Sequence, residues 1–348
     1  MRKIIINFDG TGNEPGDAEE KKKDGIVKDE NISNILKIHL LAGGNIENTA
    51  VSFKDQISFY YPGVGVRGNI FKRLWRAAFA AKAPEVIMEE AMNDLEGIYK
   101  KNDRLYIFGF SRGAAIARLF ASRLAKNGLQ TATGIIDKNP VISFLGVFDT
   151  VAAFGRPNLN KNTRPISDVV FENGTISPII RNACHLVSID ENRLAFRPTL
   201  MNHESKVNEI WFPGVHSDVG GGYNKDGLSD NTLSYMLNKA RLFGLQFFDK
   251  AKDIPAENLK GKDHQDEDIT IEKSDIEIKP DINESIHYHT EKWRDLINSM
   301  APRDATVIKD NIPCNTPYKV HVSTKQRMEN IPGYNPIALM DELYELIE

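Results

Sequence analysis

Cysteine is scarce in this chain: Cys184 and Cys314 are the only two among 348 residues. Two thiols so far apart exclude a disulfide scaffold by count and a CxxC metal or redox site by spacing. They suit a protein made in a reducing cytoplasm. Long hydrophobic runs are missing too. No stretch approaches the ~20 apolar residues that a membrane-spanning helix requires. The opening run Ile4-Ile5-Ile6, behind Met1-Arg2-Lys3, is shorter than a signal-peptide core, and no small-residue cleavage site follows it. A cleaved signal is therefore not expected. Nor does charge of one sign dominate. The 44 Lys+Arg against 48 Asp+Glu leave a net charge of −4, which argues against a dedicated nucleic-acid binder. No repeat at a 20–50 residue period is visible and no segment is of low complexity. With 41% hydrophobic and 26% charged residues, what remains has the composition of a soluble globular enzyme. A chain of this length buries roughly three quarters of its unfolded surface, enough for one large core.

What is present is an alternation of strands and helices. Residues 3–8 (KIIINF) form a continuous apolar run, the mark of a strand buried on both faces. Further strands are expected at 57–61, 104–110, 141–148, 184–189, 208–213 and 318–322, and helices near 31–42, 68–82, 84–101, 112–127 and 230–244. The pattern predicts an α/β fold, a mostly parallel central sheet flanked by helices, as a single domain over residues 1–348. Within it, residues 251–285 carry dense charge and few large apolar side chains, so they are expected to form an exposed, flexible insertion. A shorter charged stretch at 14–30 reads as a surface loop.

The chemistry centres on Gly109-Phe110-Ser111-Arg112-Gly113, a G-x-S-x-G sequence. Five residues with three fixed are weak evidence alone. An apolar strand directly before and an amphipathic helix directly after make it the pattern of a nucleophile elbow, with Ser111 on a strained strand-to-helix turn. A serine hydroxyl needs a base to take its proton and an acid to orient that base. In this arrangement they follow in the chain order Ser, Asp or Glu, His. Asp149 closes the run Phe144–Phe148, and His216 follows the run Ile210–Phe212 just ahead of a triple-glycine loop. Asp190 also closes a strand and is the alternate acid; His321, at the end of a late strand, is the alternate base. His39, His185, His203, His264, His287 and His289 lack a comparable position and suit surface or core roles. After the first strand, Asn7-Phe8-Asp9-Gly10-Thr11-Gly12-Asn13 forms a flexible turn. There the backbone N–H of Thr11, with that of Arg112, would face an oxyanion. The same segment resembles the start of haloacid-dehalogenase-type phosphotransferases. That chemistry needs an aspartate nucleophile where this chain has Asn7, and an amide cannot form an acyl phosphate. Residues 67–82 place Ile70, Phe71, Leu74, Trp75, Ala78 and Phe79 on one helical stripe among basic residues. Such a helix packs on the sheet or lies as a lid on an anionic membrane surface.

Taken in series, the segments Phe8–Asn13, Gly109–Ala114, Phe148–Val151 and Trp211–Tyr223 resemble the α/β-hydrolase domain of type VI secretion phospholipase effectors and their uncharacterised relatives. Tyr60–Gly65 and the late stretches His321–Ser323 and Tyr334–Pro336 are similar as well, so the resemblance spans residues 3–340. It implies Ser111 as nucleophile, Asp149 as acid and His216 as base of a lipase or phospholipase, with no metal or organic cofactor. It also implies a toxin made in a bacterial cytoplasm and delivered to the periplasm or membrane of a target cell, with secretion-apparatus and immunity proteins as partners. Larger effectors carry long membrane-inserting regions, for which 348 residues leave little room. The readings left open are an esterase acting on a non-lipid acyl ester and a binding module of the same fold without catalysis.

Overall fold

The computed structural model describes residues 1–18, 22–23, 26–27, 30–64, 83–152, 176–262, 267–288, 300–310, 312–339 and 343–348. The expected helix at 68–82 lies outside them, and with it the question of a lid. Eight strands form the main sheet: β1 (Lys3–Phe8), β2 (Gln56–Tyr61), β3 (Arg104–Phe110), β4 (Val141–Phe148), β5 (Ala183–Ser188), β6 (Val207–Phe212), β7 (Tyr318–His321) and β8 (Tyr344–Ile347). Their order across the sheet is β8-β7-β6-β5-β4-β3-β1-β2, and every neighbouring pair is parallel. This is the expected α/β architecture. The edge strand β8 is one that the apolar pattern did not mark.

The helices that cover the sheet are α1 (Asn34–Leu41), α2 (Ala83–Ile98), α3 (Ser111–Asn127), α4 (His216–Gly220), α5 (Gly227–Leu242) and α6 (Val322–Asn330). Side chains of a strand alternate between its faces, so a strand covered on both must be apolar throughout. Ile4, Ile6 and Phe8 pack with Met88 and Leu95 of α2 and with Ile116, Phe120 and Leu124 of α3. Ile5, Tyr106 and Phe108 join the other layer, with Ile35 and Ile38 of α1 and Leu233, Met236 and Leu237 of α5. A buried ion cluster also ties that layer together: Lys37 of α1 places Nζ 2.5 Å from Asp226 and 2.9 Å from Asp230.

The charged segment 251–285 does not stand off the domain as expected. Ile254, Leu259, Ile269, Ile271 and Ile276 are each at most 4% exposed and belong to the same core as α1 and α5. A short hairpin pairs Lys260–Lys262 with Asp268–Thr270. The correction has a simple cause: isolated isoleucines anchor this segment while its charges face water, and charge density alone conceals such anchors.

The order of the strands reverses at β1, which has β2 on one side and β3 on the other. In open parallel sheets, crevices form at the carboxyl ends of strands beside such a reversal. The turn Asp9–Asn13 follows β1 there, and Ser111 follows β3.

Candidate active site

Ser111 is the first residue of α3 and is held at φ 56°, in the left-handed region that non-glycine residues avoid. Such a conformation costs about 1–3 kcal/mol and persists only where the surroundings enforce it. Two glycines explain how they do. A Cβ on Gly109 would lie 2.6 Å from the Ala114 Cα and from the Gly113 carbonyl oxygen. A Cβ on Gly113 would fall onto the carbonyl oxygens of Phe8 and Asp9 at the end of β1. The motif therefore packs strand, turn and helix backbones against one another with no room for a methyl group. Ser111 itself is 6% exposed.

Asp149 follows β4 on a second left-handed residue, φ 40°, and is fully buried. His216 opens α4 beyond β6 and donates from Nδ1 to Asp149 Oδ2 at 2.5 Å. The imidazole ring is covered by Phe110, the neighbour of Ser111, at 4.6 Å between centroids, and by the edge-on ring of Phe196 at 4.9 Å. The structure thus draws the ends of β3, β4 and β6 together. Burial would raise the Asp149 carboxyl. The charge of Arg303, helped by the His216 and Arg303 hydrogen bonds, overrides it and holds Asp149 well below the usual carboxylate range. Burial pushes His216 below its ordinary value, against the opposing pull of Asp149 and Glu191.

The two alternates are occupied elsewhere. Asp190 Oδ2 accepts the Gly214 N–H at 2.7 Å and the Tyr334 hydroxyl at 2.8 Å, so it pins the turn that leads into His216 while Asp149 holds the ring. Burial lifts Asp190 to about 6. His321 caps α6 by accepting from the Ser323 N–H, and its ring stacks on Phe212 at 4.3 Å. Burial lowers it to about 4.

The turn after β1 is organised by Asp9. Its Oδ1 accepts from the Gly10 N–H at 2.6 Å and from Asn13 Nδ2 at 3.2 Å. Its Oδ2 accepts from the hydroxyls of Ser33 and Tyr60, both at 2.6 Å. The Gly12 N–H donates to Val64 at 3.2 Å and the Asn13 N–H to Gly10 at 3.0 Å. Among the described residues, the Thr11 N–H is the donor of this turn left uncommitted, and the buried Thr11 hydroxyl has no hydrogen-bond partner. Arg112 lies in the first turn of α3, where backbone N–H groups have no intrahelical acceptor. Asn7 donates from Nδ2 to Ser58 at 3.0 Å and to the Phe59 carbonyl at 2.8 Å, which is a role in sheet packing.

Sequence reasoning missed Arg303. It is 6% exposed and grips both oxygens of Asp149, Nη1 to Oδ1 at 2.6 Å and Nη2 to Oδ2 at 2.8 Å. It sits 154 residues beyond its partner, in a loop without periodicity, so no local signal marks it. Glu191 was missed as well: it accepts the backbone N–H of His216 at 3.2 Å and pairs with Arg193 at 2.7 Å. Among the described residues no cluster of three or more His, Cys, Asp or Glu is arranged to hold a metal ion. No described helix is long and apolar enough to cross a membrane.

Residues 2–137 and 133–239 match the catalytic domain of the Tle1-like phospholipase effectors of the type VI secretion system. The chain belongs to this family. Among curated proteins, an uncharacterized protein of Saccharomyces cerevisiae is 26% identical over 246 residues, which is 56% of this chain and 32% of that protein. Among solved structures, an uncharacterized protein from Pseudomonas aeruginosa aligns with 21% identity and a TM-score of 0.46, over 81% of this chain and 49% of its own. The Tle1 effector bound to the VgrG spike aligns with 23% identity and a TM-score of 0.41, over 65% of this chain and 52% of its own. The chain thus spans about a third of the yeast relative and about half of each solved structure.

Proposed function

We propose that this chain is a serine hydrolase that cleaves a carboxylic ester of a phospholipid, a phospholipase A-type reaction, working as one domain over residues 1–348. The observation that carries the reading is the 2.5 Å contact from His216 Nδ1 to Asp149, made beside an elbow serine at a reversal of strand order. Membership of the Tle1-like family supports the choice of substrate.

With its Nδ1 proton directed at an ionised carboxylate, the imidazole presents Nε2 as the base. His216 takes the Ser111 proton as Ser111 attacks the acyl carbonyl, and the backbone N–H groups of Thr11 and Arg112 receive the tetrahedral oxyanion. His216 then returns the proton to the leaving lysolipid alcohol. The acyl-enzyme that remains is hydrolysed by water through the same steps. The left-handed turn at Ser111 suits this task, because it is the strained strand-to-helix turn of a nucleophile elbow. By extension from the family, we propose a secretion apparatus and an immunity protein as partners, and the periplasm or membrane of a target cell as the place of action.

The test is fatty-acid release from phospholipid vesicles and from a short-chain p-nitrophenyl ester, by wild type and Ser111→Ala. Release from vesicles by wild type and its loss in the variant are expected. Ester cleavage without vesicle cleavage would keep the triad and move the substrate to a non-lipid ester. No cleavage of either, with no fluorophosphonate labelling of Ser111, would leave a binding module.

A further inference from the structure

We propose that Arg303 is a positioning residue that sets the acidic boundary of the activity by clamping both oxygens of the Asp149 carboxylate, including the Oδ2 that accepts from His216. The inference rests on the triad reading above. An acid in such a triad does two separable things: its hydrogen bond orients the imidazole, and its negative charge supports the imidazolium. A planar guanidinium matched to both carboxylate oxygens leaves the first intact and weakens the second. Here the match is two-pronged, at 2.6 and 2.8 Å, and the same guanidinium donates to the carbonyls of Ser188 at 2.8 Å and Phe196 at 2.6 Å. Asp149 is thereby bolted to the end of β5 and to the segment whose Phe196 ring covers His216.

The other charged groups around His216 have partners of their own. Glu191, which accepts the His216 N–H, is paired with Arg193 at 2.7 Å, and Arg193 lies over the Phe196 ring at 3.7 Å. Asp190 is engaged with Gly214 and Tyr334. Asp218, on the same helix as His216, faces His287 at 2.5 Å. The strongest pull on the ring from a charged partner is that of Asp149, ahead of Glu191, and Arg303 matches the Asp149 charge. A carboxylate whose charge is already matched gives the imidazolium less support, so His216 stays a neutral base to lower pH than an unclamped Asp–His pair would allow.

The experiment has two readouts. One is the His216 ring titration by NMR in the full-length Ser111→Ala protein, assigned with His216→Gln. The other is the pH profile of kcat/KM on a soluble ester in the Ser111 enzyme. Arg303→Gln is expected to raise the His216 midpoint by about 1 pH unit, as removal of a charge at this range does, and to move the acid limb upward with it. Arg303→Lys keeps the charge but replaces the fork with a single point, so a smaller rise in the same direction is expected. Should Arg303→Gln fail to fold, the lysine variant decides. Folded variants whose midpoint and limb coincide with wild type overturn the proposal, whatever their kcat, and leave the hydrolase reading in place. A wild type that cleaves no ester removes the hydrolase reading and the catalytic meaning of this one, whereas the NMR midpoint still reads the clamp.

Discussion

At the scale of single residues, Asp149 carries two duties that a substitution would separate. Asparagine keeps its shape but gives His216 a neutral partner and disfavours the tautomer the base requires, a change that lowers kcat by about 10⁴-fold in such triads. It also takes from the Arg303 guanidinium, 6% exposed, the carboxylate that it grips through both oxygens. Breaking a buried pair in this way costs about 3–5 kcal/mol. Asp149→Asn is therefore expected to lose both activity and stability, read as kcat on the folded fraction and as a urea midpoint. Loss of kcat alone would show that Arg303 has no need of its carboxylate. The base also makes a prediction by sign. Burial holds His216 below 6.5, and the reaction needs its neutral form. Activity is then retained below pH 6.5 and lost as pH falls through the lowered pKa, so an acid limb of kcat/KM at or above 6.5 would contradict the site described here.

At the scale of elements, the close approach of α3 to the end of β1 depends on one missing methyl group. Gly113→Ala would drive a Cβ into the Phe8 and Asp9 carbonyls, which are backbone atoms of the sheet and cannot step aside. Overpacking of this kind costs about 1–3 kcal/mol, and here it also displaces the Thr11 turn from Ser111. The expected result is a folded protein with a lowered melting temperature and an acylation rate depressed beyond what the melt explains; a rate equal to wild type would separate the turn from the chemistry. The junction of α1 and α5 offers a second test. Lys37 is 1% exposed and Asp230 is fully buried. Burial lowers the Lys37 pKa, yet the two aspartates more than reverse that, so the amine is held charged. Lys37→Ala leaves the aspartates facing each other, and a loss of about 3–5 kcal/mol is expected in urea unfolding. A loss under about 1 kcal/mol would mean that water reaches the carboxylates.

At the scale of the whole molecule, legibility follows the range of the physics involved. Strands buried on both faces are visible as apolar runs, because covering both faces favours apolar residues at successive positions, as at residues 4–6 of β1 and 105–108 of β3. A turn in which every methyl group collides is visible as glycines at fixed spacing. Arg303 is invisible because its partner, 154 positions earlier, is fixed by the path of the chain between them rather than by a pattern. The anchors of 251–285 escape notice because Ile254, Ile271 and Ile276 stand singly in charged surroundings. The pH dependence of stability likewise emerges only from tertiary burial. His39, fully buried, lies between the Ser58 hydroxyl at 2.8 Å and the Asn45 carbonyl at 2.9 Å, and burial lowers it from 6.5 to about 4. His321 is lowered to about 4 by the same cause. Groups that resist protonation when folded contribute stability fully present above pH 6.5, which drains away as pH falls toward 4. Asp190 acts in reverse: raised to about 6, it contributes below its unfolded value of 3.8 and loses that contribution as pH rises through 6. The lowered histidines, His216 among them, give a fall in stability between pH 6.5 and 4, which Asp190 and the other carboxyls raised by burial, Asp9, Asp230 and Asp275, oppose. In His39→Gln, whose amide has no proton to gain, the part of the fall that His39 carries is expected to vanish. Urea midpoints of wild type and variant across this range decide it: parallel curves would mean that His39 takes up its proton without leaving the folded state.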